Sequence, residues 1–344
     1  MTVTKVLVVD DSTTMRALFS NALESSKDLV VVGAASGADE ARAMIASLRP
    51  DVITLDIEMP GMNGVDFLKE LMATRPIPVV MLSTLTQKGA EISLRAIELG
   101  AVDCFPKPLR ATMDEFNAIV DKLCKVVRTA ARTNLSARRR PAASAPAPGY
   151  VWDGELIGIA GGMGGIEAAS ELLTTLPANC APVIVSLAID AGLGAPFVSR
   201  LSRAAAAKVK LAADGDALVP GTLHIATGPA FHVVVDRWPG GTLRLVGRPA
   251  VNGVRPSADL MLASIAKTAG AKGIGIILSG GGQDGAQGIA ALNGAGGLCL
   301  AQDPATALVA DMIEAAVARG VSTVAAPARL GALACPPRNS DLAA

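Results

Sequence analysis

Residues 51–64 read Asp51-Val52-Ile53-Thr54-Leu55-Asp56-Ile57-Glu58-Met59-Pro60-Gly61-Met62-Asn63-Gly64. The apolar run Val52 to Leu55 stops at an acid and is then closed by Met59-Pro60-Gly61, which predicts a short buried strand followed by a turn. The pattern repeats on both sides. Val6 to Val9, Leu29 to Val32 and Val79 to Leu82 are further strand-length runs, and amphipathic stretches such as Met15 to Leu23 and Ala38 to Leu48 lie between them. Strands alternating with helices predict a parallel sheet with crossover helices from Lys5 to about Cys124.

The polar residues of this segment gather where the strands end. Asp10 and Asp11 follow the first strand, and Asp56 with Glu58 lies at the third. In open α/β sheets that edge binds ligands. Converging carboxylates are costly unless a hard cation neutralises them, and an all-oxygen donor set without His or Cys argues for Mg²⁺ held by Asp10, Asp11, Asp56 and Glu58. Ser83-Thr84 ends the fourth strand and Lys107-Pro108 a later one, so a hydroxyl and an ammonium join the carboxylates. Together they can bind phosphoryl oxygens while a carboxylate accepts the phosphoryl group. Any one of the acids can equally cap the helix that follows it.

Beyond Val127 the sequence RTAARTNLSARRRPAASAPAPG loses apolar periodicity and reads as a tether, with Arg138, Arg139 and Arg140 a solvated spacer. A second α/β series follows. It comprises a strand Leu156 to Ala160, a glycine turn, a helix Glu167 to Leu176, a strand Val183 to Leu187 and a helix around Phe197 to Ala207. Short strands at Leu223 to Ala226, His232 to Val235 and Leu243 to Val246 between Gly and Pro turns predict a small antiparallel insertion, after which Gly275 to Leu278 resumes the parallel series. The expected organisation is a first domain over residues 1–124, a linker 125–150, a second doubly wound α/β domain over 151–335 and a tail 336–344.

The chain has 344 residues, enough for two cores, and its 31 Lys plus Arg balance 31 Asp plus Glu. That balance supplies no basic field for nucleic acid. No stretch approaches the roughly 20 apolar residues of a membrane span. The cysteines Cys104, Cys124, Cys180, Cys299 and Cys335 are scattered without CxxC spacing and read as reduced thiols of a cytoplasmic protein.

The stretches VLVVDDS (6–12), DVITLDIEMPGMNG (51–64), VVMLST (79–84) and FPKPL (105–109) resemble the response-regulator receiver family over essentially all of residues 1–124. The resemblance implies strand order 2-1-3-4-5, Asp56 as phosphoacceptor, Asp10 and Asp11 as metal-site acids, Ser83 as switch hydroxyl and Lys107 as phosphate-sensing cation. One position departs from the family: Cys104 stands where an aromatic switch residue is usual, with Phe105 next to it.

Receiver, tether and then GIAGGMGGIEA (158–168), VPGTLHIATG (219–228), RPSADL (255–260) and LSGGGQDGA (278–286) resemble the CheB family, chemotaxis response regulators that are protein-glutamate methylesterases. The resemblance implies a CheA-like histidine kinase and methyl-accepting chemoreceptors as partners, and a Ser-His-Asp triad acting on receptor glutamate methyl esters and glutamines. It also implies that phosphorylation alters how the receiver packs on the second domain. The family's serine turn G-A-S-T-G-G aligns with Ala160 to Gly165, which puts Gly162 at the nucleophile, and its Q-H-M aligns with Leu187-Ala188-Ile189, which puts Ala188 at the base. Only Asp284 matches the triad, and a triad without nucleophile and base predicts a defective esterase.

Substitutes for the lost groups are few. The histidines are His224 and His232, and Ser279 and Cys180 are the candidate nucleophiles. Arg255 and Asp259 are expected either to pair or to line the receptor cleft, and Asp284 can instead cap the helix that follows it. Three outputs stay open: a silent receptor-binding regulator, an active methylesterase with displaced catalytic groups, and a receiver that only takes up phosphoryl groups.

Overall fold

The computed structural model describes residues 3–84, 86–108, 113–138 and 149–337, and the chain divides between Leu135 and Ser136 into two compact units. The expectations for Arg139, Arg140, the tether over residues 139–148 and the last seven residues lie outside the described residues.

In the first unit β1 (Thr4–Val9), α1 (Thr13–Glu24), β2 (Leu29–Ala35), α2 (Ala38–Leu48), β3 (Val52–Asp56), α3 (Gly64–Thr74), β4 (Val79–Ser83), α4 (Gln87–Leu99), β5 (Asp103–Pro106) and α5 (Met113–Ala130) alternate strictly. The strands pair in parallel in the order β2-β1-β3-β4-β5, as the receiver pattern implies. Every residue of β3 and β4 is buried, because helices cover both faces of a parallel sheet and its central strands are therefore apolar throughout. The last helix runs to Ala130, three residues past the end expected near Val127. Arg128 explains the extension, since its Nε and Nη2 reach Asp28 at 2.5 and 3.0 Å and tie the final turn to the sheet edge.

The chain passes from β1 outward to β2 and then back to β3 on the other side. The reversal opens a crevice between the C-terminal ends of β1 and β3. Helix starts line the same edge, with Ser12, Asn63 and Thr86 each accepting a backbone N–H of the helix that follows. Gly64 belongs to this framework: a Cβ there would lie 1.9 Å from the Asp56 carbonyl oxygen, so only glycine lets α3 start against the end of β3. Gly64→Ala is expected to cost about 3 kcal/mol, the upper range of overpacking, and to lower the melting temperature of this unit by roughly 10 °C in calorimetry.

The second unit contains β6 (Leu156–Gly161), α6 (Gly165–Leu173), β7 (Val183–Leu187), α7 (Gly194–Leu201), β8 (Lys208–Leu211), β9 (Thr222–Thr227), β10 (His232–Val235), β11 (Leu243–Val246), α8 (Ala258–Ala269), β12 (Gly273–Ile277), α9 (Ala286–Gly294), β13 (Leu298–Gln302), α10 (Asp311–Val317), β14 (Thr323–Ala325) and α11 (Pro327–Ala334). Its main sheet is parallel, in the order β14-β13-β12-β6-β7-β9-β8. Two sequence expectations are corrected. The run Leu223 to Ala226 is not part of the insertion but is β9, paired in parallel with β7 and β8. The antiparallel element is the β10–β11 hairpin. The helix expected over Phe197 to Ala207 ends at Leu201, and the chain goes on to form β8. The strand order reverses between β6 and β12, so a second crevice opens where Gly162 and Ser279 follow those strands.

Candidate functional site

The first crevice is built from β1, β3, β4 and β5. Asp10 follows β1 fully buried, and Asp56 ends β3 with 3% exposure. The Lys107 ammonium stands 2.7 Å from Asp10 Oδ2 and 2.7 Å from Asp56 Oδ2. The Lys107 amide donates to the Ser83 carbonyl at 2.7 Å, which fixes the segment after β5 against β4. Asp10 Oδ1 accepts the Ser12 N–H, Asp56 Oδ1 accepts the Glu58 N–H, and Arg16 donates to the carbonyls of Asp10 and Asp11. Burial, reinforced by the neighbouring Asp10, pushes the Asp56 carboxyl above its ordinary range even though Lys107 pulls it down.

Carboxylate oxygens of Asp10, Asp11 and Asp56 lie within 4.8 Å of one another, whereas the exposed Glu58 does not join this cluster and contributes only its backbone N–H to Asp56. The donor set fits a divalent cation. The Lys107 ammonium pairs with two of the three carboxylates, and Asp10 Oδ2 is buried without any hydrogen bond, its sole partner among the described residues being the Lys107 ion pair. Mg²⁺ suits such all-oxygen sites. Ser83 completes the edge. It is buried, and its Oγ accepts from Ser93 Oγ of α4 at 2.7 Å. Ser93 carries no sequence signal, being a serine in mid-helix.

In the second crevice Gly162 follows β6, and its amide donates to the Ser279 carbonyl at 2.9 Å. A Cβ built on Gly162 would meet nothing nearer than Gly280 Cα at 3.4 Å and Met312 Sδ at 3.8 Å, so the position has room for a side chain. Gly164, in the left-handed region at φ +77°, has none, because Ser279 Oγ would lie 2.6 Å from its Cβ. Ala188 follows β7 with an exposed methyl group, and its amide donates to the Gly161 carbonyl.

Asp284 is the third family position, and its carboxylate accepts three hydrogen bonds. Oδ1 accepts Ser257 Oγ at 2.8 Å and Asp259 N at 3.2 Å, and Oδ2 accepts Ala258 N at 2.7 Å. These are the first amides of α8, whose own N-cap residue, Ser257, caps nothing with its side chain. Asp284 is therefore a cap, but for α8 and not for the helix that follows it; α9 starts at Ala286 with Gly285 as its N-cap residue and no side-chain cap. Burial, with Asp259 nearby, raises its carboxyl above the ordinary range. Asp284→Ala is expected to cost about 2–4 kcal/mol of stability in denaturant unfolding, since it strips two helix amides and a hydroxyl of their acceptor.

The other groups of the second unit are held in structural bonds. His232 Nδ1 accepts Ser257 N at 3.1 Å, which leaves the proton on Nε2 to be donated to the Pro249 carbonyl at 3.0 Å. His224 is buried with Nδ1 against the Val183 carbonyl, and burial lowers its pKa. Ser279 Oγ is buried, donates to the Met163 carbonyl at 2.8 Å and accepts Val309 N at 3.0 Å. Burial, with Cys335 adding to it, pushes the Cys180 thiol up to about 12. Arg255 and Asp259 form no ion pair: Arg255 Nη1 donates to the Arg248 carbonyl, while Asp259 Oδ1 accepts Gly288 N.

Comparison with known proteins adds the following. The family model described as CheB methylesterase matches residues 157–333, and that of the response regulator receiver domain matches residues 6–120. The protein-glutamate methylesterase/protein-glutamine glutaminase 1 of Caulobacter vibrioides is 46% identical over 312 residues, covering 90% of either chain. The protein-glutamate methylesterase/protein-glutamine glutaminase 2 of Vibrio vulnificus is 43% identical over 323 residues, covering 92% of this chain and 93% of that protein. Among solved structures, the Thermotoga maritima CheB methylesterase catalytic domain aligns with a TM-score of 0.51 at 27% identity, covering 54% of this chain and 98% of that one.

Proposed function

The chain belongs to the CheB family of chemotaxis response regulators, receiver and methylesterase domain alike, and on that premise we propose that it is phosphorylated on Asp56 but is silent as an esterase, its second domain binding chemoreceptors without hydrolysing them. The observation that carries this reading is the pair of positions at the second crevice, Gly162 and Ala188, neither of which bears a group able to attack a carbonyl or move a proton. Ser279, His232, His224 and Cys180 do not replace them, because each is buried and, apart from the high-pKa thiol, held in bonds that fix its proton. Asp284 persists through its duty to α8.

At the receiver, a carboxylate oxygen of Asp56 forms the bond to phosphorus as the phosphorus–nitrogen bond of the donor's phosphohistidine breaks and the imidazole leaves. Lys107 offsets charge on the phosphoryl oxygens, and Ser83 is the hydroxyl on the same edge. Asp10, Asp11 and Asp56 would hold Mg²⁺, which when bound neutralises phosphoryl charge. The donor is a CheA-like histidine kinase and the bound target a methyl-accepting chemoreceptor, both met in the cytoplasm. The free thiols suit that compartment. No described helix is long and apolar enough to cross a membrane.

The test is methanol release from methylated chemoreceptor membranes by the purified chain, with and without acetyl phosphate, beside cosedimentation with the same membranes. Cosedimentation without methanol release is expected. Release stimulated by the phosphodonor would sink the proposal.

A further inference from the structure

Where this family usually carries an aromatic switch residue the chain has Cys104, and the structure shows a different set of contacts at that place. Ser93 on α4 is 1% exposed and touches both neighbouring strands. Its Oγ donates to Ser83 Oγ of β4 at 2.7 Å, and its carbonyl accepts the Cys104 thiol of β5 at 3.4 Å. The same hydroxyl lies 2.7 Å from the Gly89 carbonyl one turn back in α4. One proton thus serves two acceptors, and either alone satisfies it.

Among the described residues Ser83 has no comparable second choice. Its own proton faces the Thr84 carbonyl at 3.2 Å, long for an O–H···O bond, so the short contact to Ser93 is its main anchor. We propose that Ser93 is a positioning residue for receiver phosphorylation: it holds the Ser83 hydroxyl toward α4, and a phosphoryl group on Asp56 must break that bond to recruit Ser83. The proposal rests on the reading of Asp56 as phosphoacceptor.

Its physical basis is a competition between two acceptors and donors of unequal strength. A charged phosphoryl oxygen draws the Ser83 proton more strongly than the neutral Thr84 carbonyl does, so the Ser83 hydroxyl turns toward Asp56 and its Oγ leaves Ser93. Ser93 then donates to Gly89 alone and no buried group is orphaned. The link between β4 and α4 is lost while the Cys104 contact to the Ser93 carbonyl remains, so phosphorylation is felt first as loosening of α4 from β4.

The experiment is titration of the full chain with beryllofluoride in Mg²⁺, read by the ¹⁹F resonance of the bound species. Ser93→Ala is expected to lower the half-saturating concentration about fivefold, the net value of one buried neutral hydrogen bond, and Ser93→Thr to leave it unchanged. Ser83→Ala/Ser93→Ala is expected to show no gain over Ser83→Ala. A merely structural Ser93 gives the opposite sign, since disruption weakens binding; unchanged or weaker binding in Ser93→Ala overturns the proposal. Should Ser93→Ala fail to fold, Ser93→Cys, a weaker donor, is expected to show a smaller gain of the same sign, and no gain overturns the proposal. An unmodified chain that binds no beryllofluoride and takes no phosphoryl group overturns this inference together with the Asp56 reading, whereas one that binds normally with Ser93 variants unmoved overturns the inference alone.

Discussion

The double variant Gly162→Ser/Ala188→His is expected to release methanol from methylated receptor membranes at least about a hundredfold faster than the unmodified chain, while each single variant stays at background. The hundredfold lies well below the loss incurred when a triad is dismantled, and singles fail because nucleophile and base act as a unit. Local geometry favours the gain. Gly162 has 3.4 Å of clearance for a Cβ, and Ala188 is already exposed. A carboxylate offers about four lone-pair sites, of which Asp284 uses three, so one remains for an imidazole N–H. Release equal to background in the double variant, with receptor binding intact, would show that more than two side chains separate this domain from an esterase.

Asp56→Asn is expected to abolish phosphoryl uptake from acetyl phosphate on a phosphate-affinity gel, because an amide does not attack phosphorus. The same substitution changes the pH dependence of stability. The folded Asp56 carboxyl is raised by burial and by Asp10, so the folded unit holds the proton more tightly than the unfolded chain does. Its contribution to stability is full below the ordinary aspartate range and is lost as pH rises through the raised value. Divalent cation competes with that proton. The Mg²⁺-induced rise in melting temperature should therefore grow from pH 5 to pH 7.5, and Asp56→Asn should flatten the slope; an increment independent of pH would contradict the assignment.

Much of the receiver edge was legible because strand ends in a parallel sheet share one side. An acid placed after Val9 and another after Leu55 therefore converge without any knowledge of helix packing. Glu58 lies two residues past the end of β3, and that position leaves it exposed. Ser93 was invisible, since nothing local marks which face of α4 meets Ser83. In the second unit β9 was misplaced because its partner β7 lies far back in the chain and short strands between Gly and Pro look like hairpins. β8 went unread because its Lys208-Val209-Lys210-Leu211 alternation is that of a half-exposed edge strand. Asp284 was read against the helix after it, yet the amides it caps begin 26 residues earlier, a pairing only the fold creates.

The bonds of Asp284 also bear on how such a site decays under mutation. Of the positions aligned with the old triad, Gly162 and Ala188 tie the fold together through backbone amides that any residue supplies, whereas Asp284 does so through its side chain. Substitution at the first two positions therefore leaves those amide bonds in place, whereas loss of the Asp284 carboxylate costs about 2–4 kcal/mol. The acid at this position is required by helix α8 whatever the chemistry of the crevice, so its presence alone is no index of catalysis.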